Sequence, residues 1–175
     1  MNGNTIERLL LGAVRAGDAL RVRSMLAGST ARLEQISKSG TWLHVAAECG
    51  RLEVVQELIA LGADVHATDL AFGGAPINLA AANGHLGVVR ALVEAGAGFD
   101  TSEAELNPLF SAVFGGHFEV VRLLIESGID HRVRCTGEFM RDMDAEAFAW
   151  ECGRPAIASY LSELKNRLDQ GGEPG

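Results

Sequence analysis

The pattern that most limits how this chain can fold is a segment that occurs three times, at Thr41 to Ala67, Ala75 to Thr101 and Asn107 to Val133. The copies read TWLHVAAECGRLEVVQELIALGADVHA, APINLAAANGHLGVVRALVEAGAGFDT and NPLFSAVFGGHFEVVRLLIESGIDHRV. Their internal glycines Gly50, Gly84 and Gly116 fall 34 and then 32 residues apart. A unit of that size cannot bury its own apolar face, so copies must stack and cover one another.

Each unit contains the signals for two helices. The first half carries Ala46 and Ala47, Ala80 and Ala81, or Ala112 and Val113, small side chains that let neighbouring helices approach closely. After the glycine turn, Val54, Val55, Leu58 and Ile59 recur as Val88, Val89, Leu92, Val93 and as Val120, Val121, Leu124, Ile125. Spacing of i, i+1, i+4, i+5 makes a wide apolar stripe on one helical face. Gly62, Gly96 and Gly128 follow that helix, where a left-handed cap favours a residue without Cβ.

These features resemble the ankyrin repeat, whose period is about 33 residues and whose opening motif is T-P-L-H. The resemblance implies an all-α repeat fold, an ankyrin solenoid of stacked helix-turn-helix units with hairpin-like loops. Degenerate units flank the three clear ones: AVRAGDALRVRSML places Gly17 33 residues before Gly50, and DAEAFAWECGRPAIASYL places Gly153 37 residues after Gly116, behind a longer loop. The expected organisation is one domain over 1–175, with an N-terminal cap at 5–37, clear repeats at 38–69, 70–103 and 104–133, a C-terminal cap at 134–164 and a tail at 165–175. Glu146 stands where the pattern expects an apolar residue.

Composition narrows the partners. Fifteen basic against 23 acidic residues give a net charge of −8, a poor match to phosphate backbones or anionic membranes. No stretch approaches the roughly 18 apolar residues of a membrane-spanning helix. The N-terminal apolar run is broken by Glu7 and Arg8 and lacks a basic lead, so no cleaved signal is expected. Cys49, Cys135 and Cys152 are odd in number and have no metal-type spacing, which favours reduced thiols in a cytoplasm. Thirteen Arg against two Lys fit a bacterial source.

Nothing in the sequence assembles a catalytic, cofactor or metal site. His44, His85 and His117 recur at repeat positions, and no His/Asp/Glu cluster has zinc or triad spacing. The resemblance implies that His44 ties its helix to the neighbouring hairpin, and that His85 and His117 support the interhelical turns. His66 and His131 fall after the second helices. Cys49 and Cys152 follow Glu48 and Glu151, the opposite of an activating field. Gly73-Gly74 and Gly115-Gly116 lack a phosphate-binding form.

Binding is what remains for such a scaffold. Large apolar residues that stacking does not need are Trp42 at the first turn of an inner helix, Leu70 and Phe72 in the TDLAFGG loop, Phe114 before a turn glycine, and Phe139 and Met140 in the long loop before the last unit. Such side chains are enriched at interface hot spots. Charge is uneven, +2 over residues 1–37, −7 over 38–133 and −3 over 134–175. Acidic residues of the central part, Glu48, Asp69, Asp100, Glu103 and Glu105, join these anchors in the expected partner-binding set.

The resemblance places this set on a concave face that binds another protein, and since stacking uses every apolar stripe and both ends have caps, the free chain is expected to be a monomer. Proteins of this kind and size resemble immunity proteins, which mask a toxin or enzyme; an acidic cradle with aromatic anchors suits a partner with a basic surface. The alternative is a general adaptor or regulatory scaffold that binds several partners or a peptide.

Overall fold

In a computed structural model, which describes residues 3–33, 40–69, 74–137 and 140–170, the repeats become pairs of short antiparallel helices. The N-terminal unit is α1 (Gly3–Ala16) and α2 (Ala19–Leu26), followed by a single turn, α3 (Thr30–Leu33). The clear repeats are α4 (Trp42–Glu48) with α5 (Leu52–Ala60), α6 (Pro76–Ala82) with α7 (Leu86–Glu94), and α8 (Pro108–Gly115) with α9 (Phe118–Glu126). A hairpin of β1 (Cys135–Gly137) and β2 (Met140–Met143) then leads into α10 (Ala145–Glu151) and α11 (Pro155–Gln170). Helix α11 runs on through Gln170, into the stretch expected to be tail from residue 165.

The helix starts follow from local chemistry. Asp18, Asn107 and Asp144 accept backbone N–H groups of Arg21, Leu109 and Ala147 at 2.9–3.0 Å, the usual N-cap arrangement. Pro76, Pro108 and Pro155 occupy first helical positions, where a missing N–H costs nothing. The glycines after the outer helices, Gly62, Gly96 and Gly128, have φ of 90°, 87° and 96°, so the left-handed caps expected of them are present.

The stack has two layers. Inner helices α1, α4, α6, α8 and α10 pack each on the next, and outer helices α2, α5, α7, α9 and α11 do the same, less extensively from the first clear repeat onward. Ala46, Ala47, Ala80, Ala81, Ala112 and Val113 are fully buried between the inner helices, and their small size lets that layer close up. In the ankyrin arrays that the chain resembles, the inner layer lines the concave side. The apolar stripe residues Val54, Val55, Leu58, Val88, Val89, Leu92, Val120, Val121 and Leu124 are buried between the layers.

The final unit also accommodates Glu146. Lys165 of α11 reaches both Asp144 (3.1 Å) and Glu146 (3.5 Å), so a charge in a nominally apolar slot is answered by a lysine from the paired helix.

Candidate partner-binding face

One hydrogen-bond motif joins every pair of adjacent units. The residue after each turn glycine reaches back to a carbonyl two positions before the preceding unit's turn glycine. Arg51 Nε–H donates to the Arg15 carbonyl (2.7 Å), His85 Nε2–H to Glu48 (2.9 Å), His117 Nε2–H to Ala82 (3.0 Å) and Arg154 Nη2–H to Phe114 (2.9 Å). The two histidines thus act across repeats, rather than only supporting their own turns. Gly84 shows why the turn is glycine: it has φ +73°, and a Cβ there would lie 2.4 Å from His117 Nδ1.

A second set of bonds runs along the helix starts. His44 Nδ1 accepts the Thr41 backbone N–H (3.1 Å), which leaves the proton on Nε2, and Nε2–H donates to the Gly74 carbonyl of the next loop (3.0 Å). The hairpin tie expected of His44 is present. Asn78 does the same work one repeat later, accepting from Ala75 N–H (3.2 Å) and donating to Leu106 (2.6 Å). In the third clear repeat Phe110 replaces the polar residue and packs on Phe148, ring centroids 5.3 Å apart.

Burial pushes the His44 pKa below its ordinary value, against smaller upward contributions from its bond to Gly74 and from Asp69. His131 is lowered too, again chiefly by burial. A histidine depressed in the fold contributes stability above its unfolded pKa of about 6.5, and that contribution is lost as pH falls through 6.5 toward the folded value. The melting temperature should therefore drop between pH 7.5 and 5.5. The carboxylates Asp100, Asp130, Asp142 and Asp144, all held low, titrate only under more acid conditions. His44→Asn, which installs the residue found at the equivalent Asn78, should fold and show a shallower drop. Melting curves at the two pH values measure both effects, and equal slopes for parent and variant would contradict the role given to His44.

The expected binding residues separate on inspection. Trp42 is corrected: it is buried, 4% exposed, and its Nε1–H donates to the Arg32 carbonyl of α3 (2.8 Å). The first helical position points into the stack in every clear repeat, since Pro76 and Pro108 are buried as well, and α3 folds over the indole. Leu70, Phe72 and Phe139 lie outside the described residues, and Met140 is the first residue of β2.

Phe114 is 66% exposed, as expected of an anchor, on the last turn of α8. Glu48 occupies the matching position on α4 and is exposed. Asp100 and Glu103 are exposed at the loop after α7. Hydrogen bonds from the Ser102 hydroxyl (2.6 Å) and N–H (2.9 Å) hold the Asp100 carboxyl below the usual range. Asp100 also borders an open groove lined by His66, Asn78, Phe99 and Leu106. Asp69 is half-buried near His44, and Glu105 is exposed but crowded against the hairpin, where a Cβ on Gly137 would lie 2.6 Å from its Oε1. Of the acidic residues in the expected set, Glu48, Asp100, Glu103 and Glu105 are thus exposed and Asp69 is half-buried.

Trp150, 56% exposed, was missed. It falls three residues before Gly153, the place held by Ala47, Ala81 and Val113, which pack on the next unit. A tryptophan in a slot reserved for small side chains was a legible sign that no equivalent unit packs there.

Burial raises the Cys135 and Cys152 thiols, away from the reactive thiolate form. Among the described residues no group of His, Cys, Asp and Glu is placed to hold a metal ion, and no helix is long and apolar enough to cross a membrane. A family model for ankyrin repeats, in three copies, matches residues 43–135, just over half of the chain.

Proposed function

The chain belongs to the ankyrin-repeat family, a non-catalytic protein-interaction fold, and on that premise we propose that it is a one-to-one inhibitor that masks a basic surface of a toxin or enzyme. The observation that carries this reading is the company Phe114 keeps. A large ring exposed on the last turn of an inner helix is of no use to stacking, and Glu48, at the matching position of α4, is exposed too. Aromatic anchors supply binding energy when buried by a partner, and carboxylates steer a basic surface toward them. Free thiols at Cys49, Cys135 and Cys152 fit a cytoplasmic setting, and the excess of Arg over Lys fits a bacterial one.

A titration separates inhibition from scaffolding. Once a partner is isolated, its own activity should fall to background at one equivalent of this chain, where an adaptor would leave that activity unchanged at saturation. Phe114→Ala should weaken binding by about 2 kcal/mol or more, the usual loss at a hot spot, and should leave the melting temperature near the parent's because the ring is exposed. Calorimetric titration of parent and variant measures the first effect. Equal affinities would remove Phe114 from the interface.

A further inference from the structure

The loops that leave the outer helices of the clear repeats differ at one place. Two residues past Gly62 and Gly128 stand Asp64 and Asp130, whose carboxylates accept the backbone N–H two positions on, from His66 (2.8 Å) and Arg132 (2.9 Å). Two residues past Gly96 the chain has Gly98 instead. The same turn is made two positions later, where Asp100 Oδ1 accepts the N–H (2.9 Å) and the hydroxyl (2.6 Å) of Ser102. The shift removes a side chain from the seam between the first two clear repeats, and it sets a carboxylate at the edge of that seam. A Cβ on Gly98 would meet His66 Cε1 at 3.8 Å, in the groove that both residues line.

This groove holds about 270 Å³, with Asn78, Phe99 and Leu106 as its more buried lining and with His66 and Asp100 exposed. It is smaller than the roughly 300–1,000 Å³ of sites for drug-sized ligands, a size that suits one side-chain-sized group. Asn78 is engaged at both ends of its amide, by the Ala75 N–H and the Leu106 carbonyl. Both Ser102 bonds fall on Asp100 Oδ1, so neither competes for Oδ2. Residues 61–106 carry six carboxylates against the single arginine Arg90, and among the described residues no Lys or Arg lines the groove.

The next seam shows what is missing. Its two corresponding places hold Asp130 and Arg132, whose side chains pair at 3.4 Å. There the chain supplies a carboxylate and a guanidinium, and in the middle seam it supplies the carboxylate alone.

We propose that the groove between the first two clear repeats is a binding site for an alkylguanidinium group, the chemistry of arginine. The alkyl stem packs on Phe99 and Leu106, and the guanidinium meets Asp100 Oδ2 beside the His66 ring. A guanidinium is favoured over an ammonium because it is planar, more weakly hydrated, stacks on aromatic faces and pairs with a carboxylate through two N–H groups. The groove lies by the start of inner helix α6, whereas Phe114 stands at the end of α8, so occupancy here does not depend on what Phe114 meets.

The probes are free arginine, N-acetylarginine methylamide, and the citrulline and lysine counterparts of the blocked form. Citrulline keeps the shape of the arginine side chain and removes its charge. In a 1H–15N titration of the full chain, the amide signals of Gly98, Phe99 and Asp100 should shift and saturate at millimolar arginine probe. The lysine compound should bind at least about threefold more weakly, and the citrulline compound should not saturate. Gly98→Leu should weaken binding about tenfold or more with the melting temperature near the parent's, since Gly98 lies outside the left-handed region and a Cβ there makes only ordinary contacts. Asp100→Asn, an exposed change that keeps an oxygen for Ser102, should do the same and provides the test should the leucine variant fail to fold. Tighter binding of free arginine would mark the ligand as a small molecule, and tighter binding of the blocked form would mark it as a side chain of another protein. No saturation by either arginine probe, equal binding of the citrulline compound, or parent-like binding by Asp100→Asn would overturn the proposal.

Discussion

Replacing Trp42 with alanine is expected to lower stability by about 3–5 kcal/mol, the usual cost of deleting a buried Trp or Phe side chain. At roughly 2–4 °C per kcal/mol for a chain of this size, the melting temperature should fall by about 6 °C at least. The indole is 4% exposed and its N–H satisfies the Arg32 carbonyl. Truncation therefore opens a cavity and frees a carbonyl at the seam between the N-terminal cap and the first clear repeat. Leu58→Ala, at a fully buried stripe position, should cost about 2–5 kcal/mol by cavity formation alone. A melt of Trp42→Ala that overlays the parent's would mean that the indole is not packed as described.

Removing residues 144–175 should have a larger consequence. Helices α10 and α11 cover α8 and α9, and without them Phe110 and Phe118 lose the rings of Phe148 and Tyr160 that pack on them. Contiguous apolar surface of that kind drives association, so the truncated chain should elute from size exclusion as aggregate or fail to fold. The Lys165 contacts to Asp144 and Glu146 would vanish with it. A truncated chain that stays monomeric with the parent's melting temperature would show that the last helix pair is not a cap.

The stack itself was legible in the sequence because repetition supplies its own check. Three aligned segments gave the helix pairs, the turn glycines and the stripe residues, and the described helices fall where those segments put them. The hairpin of β1 and β2 and the extension of α11 were not legible, since neither recurs and each depends on contacts peculiar to the last unit. Binding residues were harder because exposure depends on the neighbouring unit. Trp42 is buried because α3, a single turn at Thr30–Leu33 that no repeat signal marks, meets its indole through the Arg32 carbonyl. The exposure of Phe114 was legible because its slot holds Glu48 and Ala82 elsewhere. Trp150 was not singled out, although the small residues at equivalent positions marked it.

The cross-repeat bonds were half legible. His85 and His117 were visible as recurring residues, but their partners are carbonyls, and a carbonyl leaves no mark in a sequence. Arg51 and Arg154 fill the same role with a different side chain. Equivalence of role across unlike residues emerges only from geometry.

The central claim is that partners bind on the concave side, around Phe114, and the most direct test compares the two sides of the stack in cells. A photo-crosslinking amino acid placed at Phe114 would sit on the concave side, and the same group at Arg90, exposed on outer helix α7, would sit on the convex side. Irradiation followed by mass spectrometry should yield a discrete adduct of one protein from the Phe114 position and none of that protein from Arg90. Capture of the same protein from Arg90, with nothing from Phe114, would contradict the assignment of the binding face.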